Sequence, residues 1–231
     1  MKKTFIAIVT IVFTLGAFNV EAQKLSAFGA EMGKKQVGPK TIRVPYMDVT
    51  SYFGYMEPGA PADEEKDNKK YYYLYVWIPI AAPELGVRMI SPVPKKPQPT
   101  DKDIVTESFK NNQKNTDMYF DTWITLEKAV GVVSKENLAE KASEATWRRL
   151  EFNDDNSEMP KNPSGRSLNS LFRVQTSLDN PLDALVVGLY RIGFTTWKTG
   201  EVNGSFLAQL GAPIKLPGVK ISPTIEGLLE E

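Results

Sequence analysis

The chain has 231 residues, and its 28 lysines and arginines balance 28 aspartates and glutamates. A neutral chain without a long basic run gives no support for nucleic-acid binding. The absence of cysteine and histidine excludes disulfides, His/Cys zinc sites and catalysis that needs a histidine base. Any metal ion would have to be held by oxygen atoms, which calcium and magnesium prefer.

Residues 1–22 are a predicted signal peptide. Lys2 and Lys3 precede the apolar segment 5–18, and Val20 and Ala22 place small residues at a cleavage site after Ala22. The apolar segment is short for a bilayer span, which favours cleavage over the alternative of a retained anchor. No later segment predicts a transmembrane helix. Residues 23–41 are predicted to be a loose N-terminal arm, and residues 42–231 a single domain.

The clearest strand is YYYLYVWIPI at residues 71–80, in which an aromatic row alternates with an apolar row. This pattern favours a central strand covered on both faces, and the alternative is an aromatic row that binds a sugar or a protein. Further strands are predicted in residues 41–56, 118–127, 168–176 and 185–197.

Thr100 and Ser134 are predicted to cap helices over residues 100–112 and 134–150, and Asp179-Asn180-Pro181 is predicted to start a shorter one, with the proline near its first turn. Many strands with polar turns and few helices predict a mainly β protein. We expect a jelly-roll β-sandwich with two or three peripheral helices.

Asp121 is an unusual residue within the strand MYFDTWITLE, residues 118–127. A carboxylate in a half-buried strand is costly unless something compensates its charge. Together, Asp121, Thr122 and the acidic loop with Asp154 and Asp155 could supply the oxygen ligands that calcium requires. The alternatives are a solvated loop with Asp121 paired to an arginine, or the paired carboxylates of a glycosidase. That enzyme would use Asp121 with Glu127, or Asp154 with Asp155.

Several runs resemble, in order and spacing, the family of the major outer-membrane surface lipoprotein of pathogenic leptospires and its homologues in marine bacteria. These runs are YFGYMEPG (52–59), YYYLYVWIP (71–79), GVRMISP (86–92), FDTWI (120–124), LNSLFR (168–173) and GLYRIGFTTWKTGEVNGSF (188–206). The resemblance implies a jelly roll with peripheral helices, an envelope location, calcium binding, and interaction with extracellular matrix proteins.

The resemblance also implies a set of calcium ligands. It places them at Asp121, Thr122, Asp154, Asp155 and the backbone carbonyl of Leu168, where the family has a tyrosine. The chain departs from the family pattern in lacking the lipoprotein cysteine, in its shorter acidic run and in its shortened C-terminal extension.

These observations together predict an exported, non-lipidated, calcium-binding envelope protein that is not an enzyme. Its location would be the periplasm, the outer-membrane surface or the medium. Calcium is the expected cofactor, and extracellular matrix proteins or other envelope components are the expected macromolecular partners. A homodimer is a further candidate assembly.

Overall fold

The computed structural model of the protein describes residues 28–95, 98–198 and 200–230. In chain order its strands are β1 (Gly29–Val37), β2 (Lys40–Pro45), β3 (Asp48–Met56), β4 (Glu64–Lys66), β5 (Lys69–Ile78), β6 (Glu84–Ile90), β7 (Ile104–Val105), β8 (Thr122–Ala129), β9 (Trp147–Asn153), β10 (Ser170–Gln175), β11 (Gly188–Thr196), β12 (Gly204–Ala212) and β13 (Lys220–Ser222). The helices are α1 (Glu107–Asn112) and α2 (Leu138–Glu144), with 3₁₀ turns at Pro181–Asp183 and Glu226–Leu228.

Two antiparallel sheets form a sandwich with jelly-roll topology. One sheet has the order β10-β6-β12-β3, extended by the short parallel strand β7, and the other has the order β13-β5-β11-β8-β9, with β4 attached to β5. Each sheet contains four main strands in the order of a jelly roll: β10-β6-β12-β3 in one sheet and β5-β11-β8-β9 in the other. The predicted fold class is therefore confirmed.

The period-2 alternation of the sequence decides which side chains enter the core. The even positions of β5, from Tyr72 to Ile78, pack between the sheets with Ile124 and Leu126 of β8 and Ile192 of β11. The apolar row of the alternating pattern in residues 71–80 is therefore the row that faces the core. The odd positions of β5 face outward, where Trp77 packs against Leu138 of α2.

Both predicted α-helices are shorter than expected because neighbouring strands take their ends. Thr106, not Thr100, caps α1, and its hydroxyl accepts a hydrogen bond from the Phe109 N–H at 3.1 Å. The preceding residues Ile104 and Val105 pair with β3. Of the predicted helix 134–150 only α2 is helical, and it begins after Asn137, whose side chain makes no capping hydrogen bond, rather than after Ser134. Residues 147–153 form β9, since β8 offers them an edge to pair with.

The predicted loose arm is ordered wherever the structure describes it. Residues 29–37 form β1, which pairs with β2, and the predicted domain boundary at residue 42 falls inside β2. Glu84 of β6 is fully buried and accepts hydrogen bonds from the backbone N–H groups of Glu31 and Met32 and from the Tyr46 hydroxyl. This buried carboxylate holds the hairpin on the sandwich. The predicted signal peptide lies outside the described residues.

Candidate functional site

Asp121 lies immediately before β8, at the end of the sheet where β8 pairs with β11. The Trp197 N–H donates to its backbone carbonyl at 3.0 Å, which fixes the position of Asp121. Its carboxylate atom Oδ1 is buried and has no hydrogen-bond partner among the described residues. A buried carboxylate oxygen without a partner costs free energy. The Oδ1 atom of Asp121 therefore has no compensating hydrogen bond in the described part of the chain.

Neighbouring acids make the ionised form of Asp121 still less favourable. Burial first, and then the charges of Asp155 and Asp154, raise the pKa of Asp121 to about 6, against the opposing effect of Lys198 and Lys69. The pKa of Asp155 is also raised, first by burial and then by Asp154. The three carboxylates thus share one electrostatic environment.

No arginine compensates Asp121 in the described part of the chain. Arg148 pairs with Asp183 at 2.5 Å, and Arg173 pairs with Glu158 at 3.0 Å. The cations that act on Asp121 are lysines. The alternative of an arginine partner for Asp121 is therefore not realised in this structure.

A buried hydrogen-bond network ties the acidic loop to the start of β8. The Thr122 N–H donates to the Leu168 carbonyl at 3.1 Å, and the Ser170 N–H donates to the Thr122 hydroxyl at 2.9 Å. The Ser170 hydroxyl lies 2.7 Å from the Asp154 carbonyl oxygen. Ser170 therefore connects two of the predicted site residues, Thr122 and Asp154. Ser170 has no assigned role in the predicted strand 168–176, and the available signal was a polar residue that alternates with Leu168 and Phe172.

The loop itself is held by local hydrogen bonds. The Asp155 N–H donates to the Asp154 carboxylate at 2.8 Å, and the Asn156 N–H donates to the Asn169 carbonyl at 3.1 Å. The Asn156 side chain also donates to the Leu171 carbonyl at 2.9 Å. These contacts keep the two adjacent aspartates beside the end of β8.

The structure brings the predicted residues into one region without forming a closed metal cage. Within residues 28–95, 98–198 and 200–230, no group of three or more acidic side chains has the spacing to enclose a metal ion. The Leu168 carbonyl and the Thr122 hydroxyl already accept hydrogen bonds. The donor atoms present are all oxygens, and the buried Asp121 oxygen lacks a partner. This chemistry fits a hard cation such as calcium.

A comparison with known protein families finds a match over most of the sandwich. None of the helices in the described ranges is both long and apolar enough to cross a bilayer. No curated protein sequence matches the chain. The model of the family Lipl32, described as the surface lipoprotein of the Spirochaetales order, matches residues 40–221. This stretch runs from the start of β2 into β13 and includes the whole candidate site. The chain therefore belongs to the Lipl32 family of surface lipoproteins.

Proposed function

We propose that this protein is a calcium-binding envelope protein that acts as a binding module. Membership of a surface lipoprotein family supports an exported surface protein. The calcium proposal rests on one observation: the Asp121 oxygen Oδ1 is buried without a hydrogen-bond partner. A bound cation would neutralise the repulsion that Asp154 and Asp155 exert on Asp121.

Five residues would hold the ion. The carboxylates of Asp121, Asp154 and Asp155 would supply the charge, and Thr122 and Leu168 would add neutral oxygens or position the loop. Calcium accepts six to eight oxygen ligands in flexible geometry, whereas magnesium demands a tight octahedron and gives up its waters reluctantly. A site whose acidic residues must draw together therefore suits calcium.

The geometry gives less support to the glycosidase alternative. Each residue of a strand adds about 3.3 Å, so the Cα atoms of Asp121 and Glu127 lie about 20 Å apart along β8. Glycosidases need their two carboxyl groups within about 5–9.5 Å of each other. Glu127 is also engaged by Arg191 at 2.7 Å. We therefore propose binding rather than hydrolysis, with matrix proteins or other envelope components as macromolecular partners on the basis of family resemblance.

Thermal melts and calorimetric titration test the calcium proposal. Calcium at a hundredfold excess over Kd should stabilise the folded state by about 2.7 kcal/mol. In a domain of this size the melting temperature should rise by about 5–10 °C. Magnesium should give a much smaller shift, and Asp121→Ala should abolish the calcium response.

The exposed Asp117 provides a matched control, because Asp117→Ala removes a nearby carboxylate outside the site. This control should retain the full calcium response. Wild-type protein that melts at the same temperature in millimolar calcium and in chelator would refute the proposal.

A further inference from the structure

A groove lies on the outer face of the β5-β11-β8-β9 sheet, on the side opposite the core. Its volume is about 310 Å³, at the small end of the range for ligand pockets, which begins near 300 Å³. The aromatic side chains that line it are Tyr71 and Tyr73 of β5, Trp123 of β8 and Trp147 of β9. Since outward positions of several strands build it, the groove is formed by the rigid sheet rather than by loops alone.

An ion pair fixes the polar part of the groove. The Arg191 guanidinium lies between two rings, 3.7 Å from the centroid of Tyr73 and 4.2 Å from that of Trp147. It pairs with Glu127 at 2.7 Å, and the Tyr73 hydroxyl donates to Glu64 at 2.5 Å. These partners hold the side chains in place before any ligand arrives. Carboxylates with several acceptor sites and a guanidinium with five donors keep hydrogen-bonding capacity for a ligand.

The charges of the groove balance. The acidic lining residues are Glu64, Asp67 and Glu127, and the basic ones are Lys66, Arg149 and Arg191, so the sum of 3 − 3 is zero. A groove of this kind offers no net attraction to a strongly charged ligand. Its complement is a neutral molecule with one apolar face and many hydroxyl groups.

A pyranose ring has this chemistry. Its C–H face packs on an aromatic ring, and its hydroxyls pair with carboxylates and guanidinium groups. We propose that the groove binds a neutral saccharide of one or two rings. Tyr71 is half-buried and supplies the stacking surface, and Arg149 is exposed at the rim.

This inference goes beyond the calcium proposal and does not depend on it. None of the groove residues belongs to the predicted ion ligands. Saccharide binding is therefore expected to persist in chelator. Loss of calcium binding would leave it unaffected, and failure of saccharide binding would leave the calcium proposal standing.

The experiment uses the mature chain, from residue 23 onward, in chelator. Maltose, cellobiose, lactose and N,N′-diacetylchitobiose are the neutral probes, and sialyllactose and a heparin disaccharide are the charged ones. Calorimetric titration and saturation-transfer NMR should show saturable binding of at least one neutral probe at millimolar concentration, with weaker binding of both charged probes. Tyr71→Ala, which removes the stacking ring, should lower the affinity about tenfold, which corresponds to about 1.4 kcal/mol.

Two further variants keep the test decisive. Arg149→Ala changes an exposed rim residue, so it should fold and should also lower the affinity. Trp197→Ala removes a tryptophan that is 45% exposed and does not line the groove, and it should bind as wild type does. The proposal is overturned if no neutral probe binds, if the charged probes bind more tightly, or if Trp197→Ala loses affinity while Arg149→Ala keeps it.

Discussion

Replacing Asp121 by asparagine should stabilise the calcium-free protein at neutral pH. Asparagine keeps the shape of the side chain and removes the charge that burial, Asp155 and Asp154 disfavour. The pKa of Asp121 is raised from 3.8 to about 6. At 1.36 kcal/mol per pKa unit, ionisation costs the folded state about 3 kcal/mol. Because solvent reaches part of the side chain, the expected gain is about 1–3 kcal/mol.

The sign of this effect sets its pH window. A carboxyl group whose folded pKa is raised contributes stability below its unfolded pKa, and that contribution is lost as the pH rises through the folded pKa. Wild-type protein in chelator should therefore lose stability relative to Asp121→Asn between about pH 4 and pH 6. The advantage of the variant should reach a plateau above that window. There its melting temperature should be higher by about 2–10 °C.

Urea and thermal unfolding at closely spaced pH values measure the difference directly. Asp117→Asn removes an exposed carboxylate from the same segment and serves as the control. Calcium at a hundredfold excess over Kd should cancel most or all of this advantage at neutral pH, because wild-type protein gains about 2.7 kcal/mol of binding energy that Asp121→Asn cannot. An Asp121→Asn variant with no pH-dependent advantage in chelator would show that the Asp121 charge is already compensated, and the argument would fail.

Three other substitutions test the architecture around the site. Glu84→Ala should leave the backbone of β1 and the Tyr46 hydroxyl without their acceptor, lowering stability by about 3 kcal/mol in urea melts; an unchanged midpoint would show that the hairpin is held by other contacts. Val76→Asp should cost about 3–5 kcal/mol, because it buries an unpaired charge at a position with 0% exposure. A native circular dichroism spectrum with unchanged melting would contradict that placement. Ser170→Ala should speed amide hydrogen exchange in the loop around Asp154, and equal protection in both proteins would show that the loop does not depend on this hydroxyl.

The sequence alone determined which side chains of the central strands share a face. In β5, Val76 and its even-numbered neighbours are apolar, and a strand turns successive side chains to opposite faces. This property is local, so it can be recognised without knowing the partner strands. For the same reason, the sequence left open whether the aromatic row of β5 is covered by protein or binds a ligand. Only the structure shows that α2 covers Trp77 while Tyr71 and Tyr73 line a groove.

The helix boundaries depended on contacts that no local pattern records. Residues 134–150 contain good helix formers, yet the chain from Trp147 to Asn153 becomes β9 because β8 presents an unpaired edge. Ile104 and Val105 likewise leave the predicted helix to pair with β3. Tertiary hydrogen bonding overrides helix propensity here, since propensity differences are small compared with the pairing of a strand.

In the candidate site, too, one part could be predicted from local sequence and the other depended on tertiary structure. Asp121 could be singled out from sequence, because an aspartate in an alternating apolar segment needs compensation, although the strand itself begins one residue later, at Thr122. Its neighbours could not be derived that way, since Asp154 and Asp155 are far from it along the chain. Only the folded structure brings them together, through Ser170 between Thr122 and the Asp154 carbonyl. Electrostatic coupling depends on distance in space, and that distance is set by the packing of β8, β9 and β10.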